Sequence, residues 1–150
     1  MPWSAFCVLF DPDEGRDSIQ RKVEGLVKGT RPANPYRAVL DSDEAAGLDI
    51  VDCGEVQVES WLSIYPVQED LFMLTSTNFG IFLDSDGCRD YRERVRDYVK
   101  GLERPLMIGG DHSLTGGAVE ALMERHEDLY LIVFDSHFDG IPSPIRNGLI

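Results

Sequence analysis

The chain has 150 residues, 43% of them hydrophobic and 27% charged, a globular composition for one domain with one continuous core, which excludes a disulfide-stapled mini-protein, a disordered chain and a fibre. Its 14 basic and 27 acidic residues leave a net charge of −13, and a surface of that sign repels phosphate backbones and anionic lipid, so neither nucleic acid nor a membrane is expected as a partner. The longest clean apolar run, Leu129 to Phe134, falls far short of the roughly 20 residues a spanning helix needs, and Met1 to Phe10 carries no basic segment ahead of its apolar stretch, so a cytoplasmic protein is expected.

Ala5 to Phe10 reads as a buried strand, stopped by the turn Asp11-Pro12-Asp13-Glu14-Gly15. From Asp17 a helix is predicted, with Ile19, Val23, Leu26 and Val27 on one face and an end near Gly29. Thr30 to Asp43, holding Pro32 and Pro35, reads as a surface loop, and Leu48 to Val51 as a short strand ending at Asp52-Cys53-Gly54. The stretch from Glu55 to Gly87 gives only a helix around Gln68 to Thr75. Tyr91, Val95, Tyr98, Val99 and Leu102 then form one apolar stripe on a helix whose other face is Arg and Asp.

The last third reads as a strand over Pro105 to Ile108, a turn at Gly109-Gly110-Asp111-His112-Ser113, a helix from Leu114 to His126 and a second strand over Leu129 to Phe134. Strand, helix and strand make a right-handed βαβ unit with parallel strands, and an apolar strand predicts helices on both faces. The fold class is therefore α/β, three-layered, with a mostly parallel sheet. Cys7, Cys53 and Cys88 are odd in number and far apart, which fits a reducing compartment and neither a zinc pairing nor a disulfide framework.

A polar cluster follows each of these two strands, Gly109-Gly110-Asp111-His112-Ser113 and Asp135-Ser136-His137-Phe138-Asp139, at the carboxyl edge where open α/β sheets bind ligands. Asp135, His137 and Asp139 stand at i, i+2 and i+4, so an extended backbone projects all three to one side. With His112 they make a set of two imidazoles and two carboxylates without a thiolate, which suits Mn²⁺, with Zn²⁺, Co²⁺ or Fe²⁺ as alternatives. Two ions about 3.5 to 4 Å apart would need a bridging carboxylate. Gly109 and Gly110 let the main chain approach a metal or ligand closely. Either cluster alone could be a polar strand exit or a helix cap. Together they hold two of the chain's three histidines, which favours a site, whereas His126 reads as a surface group or a cation at a helix end.

The paired motifs resemble the ureohydrolase family of arginases, agmatinases and formimidoylglutamases, most specifically from Pro105 to Asp139, with Asp52-Cys53-Gly54-Glu55-Val56 as a weaker likeness. The resemblance implies an arginase-like α/β fold, with residues 1–150 as a single partial domain, the N-terminal portion of the whole. It implies two Mn²⁺ ions, with His112 on one, Asp135 bridging both, His137 on the second and Asp139 on the first. Asp135 and His137 would then be catalytic, and Asp111 would orient His112 or its loop. A metal-bridging hydroxide would attack the guanidinium carbon of a small cationic substrate such as agmatine, releasing urea and an amine.

Against the family pattern, Ser136 replaces a usual Ala, Phe138 is bulkier than the common residue, and no histidine follows His137. The N-terminal Arg-x-Gly-Pro segment is not recognisable in Arg16 to Ala33, and the family's downstream Ser-x-Asp-x-Asp motif does not occur in these 150 residues. The missing aspartates are expected from the other half of the protein, as a continuation or a partner chain, or within a homo-oligomer. The competing expectations are a non-catalytic half-domain that binds a partner or other copies, and a hydrolase of formimino substrates.

Overall fold

The apolar run near the start of the chain forms β1 (Trp3–Val8), and every residue from Ala5 to Phe10 is 8% exposed or less. In the computed structural model, which describes residues 1–134, β1 has a parallel neighbour on each side. These are β2 (Ile50–Glu55) and β3 (Pro105–Gly109), giving the strand order β2-β1-β3. Ser4 to Val8 pair in unbroken register with Pro105 to Gly109. The β1–β2 register shifts between Ala5 and Cys7, beside Gly54, whose φ of 90° lies where a side chain is strained.

Side chains alternate across a strand, and here each set meets its own layer of helix. Phe6, Val8 and Phe10 enter the larger core with Ile19 of α1 (Arg16–Lys28), Phe79 of α4 (Ser76–Asp84), Tyr91, Val95 and Val99 of α5 (Gly87–Val99), and Ala121 of α6 (Thr115–Met123). Ala5, Cys7 and Leu9 enter a smaller core with Tyr36 of α2 (Pro35–Leu40). The fold is thus α/β, with helix on both faces of a parallel sheet. Val95 and Val99 are wholly buried, each adding about 1.5 to 3 kcal/mol over an exposed side chain. At the α5–α6 contact a Cβ on Gly117 would sit 2.2 Å from the Arg92 carbonyl oxygen, so only glycine lets these helices lie so close.

Several elements differ from the sequence expectations. The predicted loop from Thr30 to Asp43 contains α2, because the Asn34 side chain accepts from the amides of Tyr36 and Arg37 and Pro35 sits in the first turn, where its missing N–H costs nothing. A further short helix, α3 (Asp43–Ala46), is capped by Ser42. The helix predicted around Gln68 to Thr75 is a 3₁₀ turn over Gln68–Phe72. Thr75 caps the amide of Asn78 and so starts α4 instead of lying within a helix.

Leu129 to Phe134, predicted as a strand, has no regular structure, with Tyr130 90% and Phe134 97% exposed. A strand beside β3 needs cover on both faces. Leu106 and Ile108 are themselves only partly covered on the α2 face, so a fourth strand would have one bare side. Two further expectations hold: α1 ends in a left-handed Gly29 at φ 65°, and Tyr91, Val95 and Val99 pack inward. Two shift: Val27, expected on the apolar face of α1, is 70% exposed, and the strand expected from Leu48 to Val51 runs over Ile50–Glu55, leaving Leu48 exposed ahead of it.

Burial raises the Cys7 thiol from 9.0 to about 11, helped by Glu55, and burial likewise raises Cys88 to about 11. Both thiols stay neutral in the fold where the unfolded chain ionises, so the stability they lend is full below about 9 and lost as the pH rises through about 11. Lys22 is held below its ordinary value by burial and acts in the opposite sense. Burial also raises Tyr36, Tyr65, Tyr91 and Tyr98, which act in the same sense as the thiols, so the unfolding free energy in urea, and with it the midpoint, is expected to fall between about pH 8.5 and about pH 10, by roughly 1 kcal/mol or more. The fall should shrink in a Cys7→Ala, Cys88→Ala variant, and a flat or rising midpoint in the parent would contradict it.

Candidate metal-binding edge of the sheet

Because the strands are parallel, their carboxyl ends open onto one edge: Asp11 beyond β1, Asp52 to Glu55 at the end of β2, and the Gly109 to Ser113 turn after β3. That turn is pressed against β1. The Gly110 amide donates to the Val8 carbonyl at 3.2 Å, and a Cβ on Gly110 would lie 2.7 Å from the Phe10 carbonyl oxygen and 3.0 Å from the Ile64 side chain. A Cβ on Gly109 would be 3.1 Å from the Val8 oxygen. Both glycines earn their place by close approach to protein backbone.

Asp111 accepts the Ser113 amide at 2.6 Å and so caps the 3₁₀ turn His112–Leu114 that leads into α6. Leu114, 1% exposed, anchors the turn in the larger core, while His112 stands on the exposed side. The Asp111 carboxylate also contributes, after burial, to the raised Cys88 thiol. The Ser113 hydroxyl is buried without a hydrogen-bond partner among the described residues, an unspent polar group beside the imidazole.

At the end of β2 stands a network that sequence reasoning missed. The Tyr36 hydroxyl donates to the Asp52 carboxylate and lies 2.9 Å from the Ala5 carbonyl oxygen. Arg37 reaches the other Asp52 oxygen at 3.1 Å, and the Gly54 amide donates to Asp52 at 2.9 Å. The Tyr36 bond, the Gly54 amide and Arg37 hold the Asp52 carboxyl below its ordinary value, and burial and then Asp52 push the Tyr36 phenol above its own. Asn34-Pro35 was the available signal, since a cap followed by proline announces the helix that carries both partners.

The structure thus brings Gly109, Gly110, Asp111 and His112 into one turn at the carboxyl edge. Asp135, His137 and Asp139 lie outside the described residues. Among the described residues no group of three or more His, Cys, Asp or Glu is placed to hold a metal ion. Of the expected ligands the described residues supply His112 alone, exposed in a turn that Gly109 and Gly110 keep tight. No helix among the described residues is long and apolar enough to cross a membrane.

A family model described as Arginase family matches residues 14–147, a span that includes both polar clusters. The chain belongs to the arginase family. Its similar relatives include a mitochondrial agmatinase of Gallus gallus, 36% identical over 62 residues, which is 41% of this chain and 18% of the relative. An arginase of Staphylococcus aureus is 26% identical over 116 residues, 77% of this chain and 37% of the relative. The proclavaminate amidinohydrolase of Streptomyces clavuligerus is 41% identical over 54 residues, 29% of this chain and 17% of the relative. The matched part of the chain thus spans well under half the length of each of these arginase-family relatives. No solved structure matches the chain.

In this arginase-family fold the tight turn is expected to fail on a single methyl group. Gly110→Ala forces the turn away from Phe10 and Ile64 and should destabilise the protein by about 1 to 3 kcal/mol in urea denaturation. A change inside the error of the measurement would mean that the turn moves freely.

Proposed function

We propose that this chain is the N-terminal portion of a manganese-dependent hydrolase that cleaves a guanidino C–N bond of a small cationic substrate such as agmatine. The observation that carries the reading is the His112 turn at the carboxyl edge, in a chain whose match to the arginase family runs through the Asp135 to Asp139 segment. Two of the relatives, the proclavaminate amidinohydrolase and a human guanidino acid hydrolase, carry hydrolysis of an amidino or guanidino group in their names.

His112, Asp135, His137 and Asp139 would hold the metal, with Asp135 shared between two ions. When bound, a pair of divalent cations makes hydroxide available near neutral pH by lowering the pKa of water. This chain's own residues prepare that chemistry. Asp111 fixes the turn through the Ser113 amide and so orients His112. Gly109 and Gly110 seat the turn against β1. The net charge of −13 gives a long-range field that favours approach of a cationic substrate. In the overall reaction water adds to the guanidino carbon, the C–N bond to the alkyl amine breaks, a proton goes to the leaving nitrogen, and urea and the amine leave. The remaining aspartate ligands would come from the rest of the protein or from a partner chain.

The test is metal content by elemental analysis and urea release from agmatine and arginine, on the protein as isolated from its source and loaded with Mn²⁺. Two ions per active centre and urea from one of these substrates are expected. Asp135→Ala should remove both ions, since it deletes a ligand shared between them, and His126→Ala should leave metal content unchanged. Two tightly held ions in Asp135→Ala would overturn the bridging role, and a metal-loaded protein that releases no urea would overturn the activity in favour of a binding module.

A further inference from the structure

Between α1 and the segment 64–68 lies an open cleft of about 670 Å³. Its charge runs against that of the molecule. The chain carries −13 overall, yet the cleft walls present Arg21, Lys22, Lys28 and Arg31 against only Asp11 and Glu24. Both carboxylates are already engaged. Asp11 Oδ2 lies 3.2 Å from Lys22 Nζ, and Glu24 Oε2 lies 2.8 Å from Lys28 Nζ. The Arg21 and Arg31 side chains make no ion pair and no hydrogen bond among the described residues, in a chain with 27 acidic residues to draw on.

A second observation points the same way. Ser18 lines the cleft at 6% exposure, and its hydroxyl makes none of the side-chain hydrogen bonds of the described residues, which leaves it able to donate to a ligand. Lys22, with its side chain 5% exposed, is tied to the carbonyl and carboxylate of Asp11 and lies 5.0 Å from the centre of the Phe79 ring. The Lys22–Asp11 pair fixes that wall of the cleft without adding net charge, which leaves Arg21 and Arg31 as its unpaired cations. Arg31 also faces the Tyr65 phenol, whose rise through burial it partly offsets.

We propose that this cleft binds a small molecule bearing a phosphate or carboxylate group, held between the Arg21 and Arg31 guanidiniums and hydrogen-bonded by the Ser18 hydroxyl. Guanidinium suits the task because its planar fork matches the oxygens of either group and holds its charge at any physiological pH. Apolar side chains of Ile64, Leu26 and Val67 in the same walls would meet the carbon part of an organic anion.

The probes are inorganic phosphate and succinate, titrated into the protein by calorimetry at constant ionic strength set with chloride. Saturable binding of one of them is expected, at about 1 mM or tighter. The Arg21→Gln, Arg31→Gln double variant should bind about tenfold or more weakly, and Ser18→Ala several-fold more weakly. Both arginines are exposed, so the melting temperature of the double variant should match the parent. Arg16→Gln removes another exposed arginine, one outside the cleft, and should leave binding unchanged. Tighter phosphate marks a phosphorylated ligand, and tighter succinate a carboxylic acid. No saturable binding of either probe, an unaffected double variant, or an equal loss in Arg16→Gln would overturn the proposal.

Discussion

β1 is enclosed on every side, and the rest of the molecule takes its place from that enclosure. Hydrogen-bonded ladders occupy both its edges and helices occupy both its faces. Its continuation is covered as well, since the Asp11 amide donates to Leu62 and the Ile64 amide donates to Leu9, bringing Phe10 against Ser63 in an antiparallel bridge. A parallel strand cannot be paired by a hairpin, so each neighbour arrives by a crossover long enough to carry helix. The carboxyl ends of all three strands must then open on one edge. That constraint, and not any local preference of the residues concerned, brings Asp11, Asp52 and His112 to the same side of the sheet.

The acidic surface does little to hold this arrangement. The ion pairs on α5 and the Lys28–Glu24 pair of α1 join exposed side chains, and such pairs add at most about 1 kcal/mol each. Helix positions follow from buried aromatic and aliphatic contacts instead, as where Phe10 stacks near Tyr91 and Trp61 near Phe79 and Phe82. Lys22 is the exception. Its desolvation is an energetic cost, visible in its lowered pKa, and the return is a fixed link from α1 to the end of β1 through Asp11. A buried pair of this kind specifies a position more than it adds stability.

Legibility in the sequence followed the length of the pattern. α5 repeats its apolar stripe over several turns, and β1 and β3 are apolar runs bounded by turns, so each could be placed from residues alone. α2 is a single capped turn and a half, too short for a period, and its evidence lay in Asn34 and Pro35. The segment from Glu55 to Gly87 uses 3₁₀ turns and aromatic packing, which leave no periodic trace. The candidate site was legible for the opposite reason, because histidine is rare in this chain and two of its three histidines fall in the paired motifs. The Tyr36–Asp52–Arg37 network was not, since it joins residues from separate elements that only the pairing of β1 with β2 brings together. The Leu129 to Phe134 run was misread because apolarity records a demand for burial and says nothing about which surface meets it.

That demand bears directly on the proposed function. Leu129, Tyr130, Leu131, Ile132, Val133 and Phe134 are all exposed in the structure, and Asp135 follows Phe134 directly. On the proposed function this apolar segment would find its cover in the rest of the protein, and Asp135 would be drawn toward the His112 turn by the metal. Gathering two carboxylates at one edge of a chain already carrying −13 is electrostatically unfavourable by itself. Burial of six apolar side chains and coordination of divalent cations both oppose that repulsion. Burial of this segment and assembly of the metal centre would then be one coupled event, and the cover missing from the open face of Leu106 and Ile108 is what the rest of a ureohydrolase would have to supply.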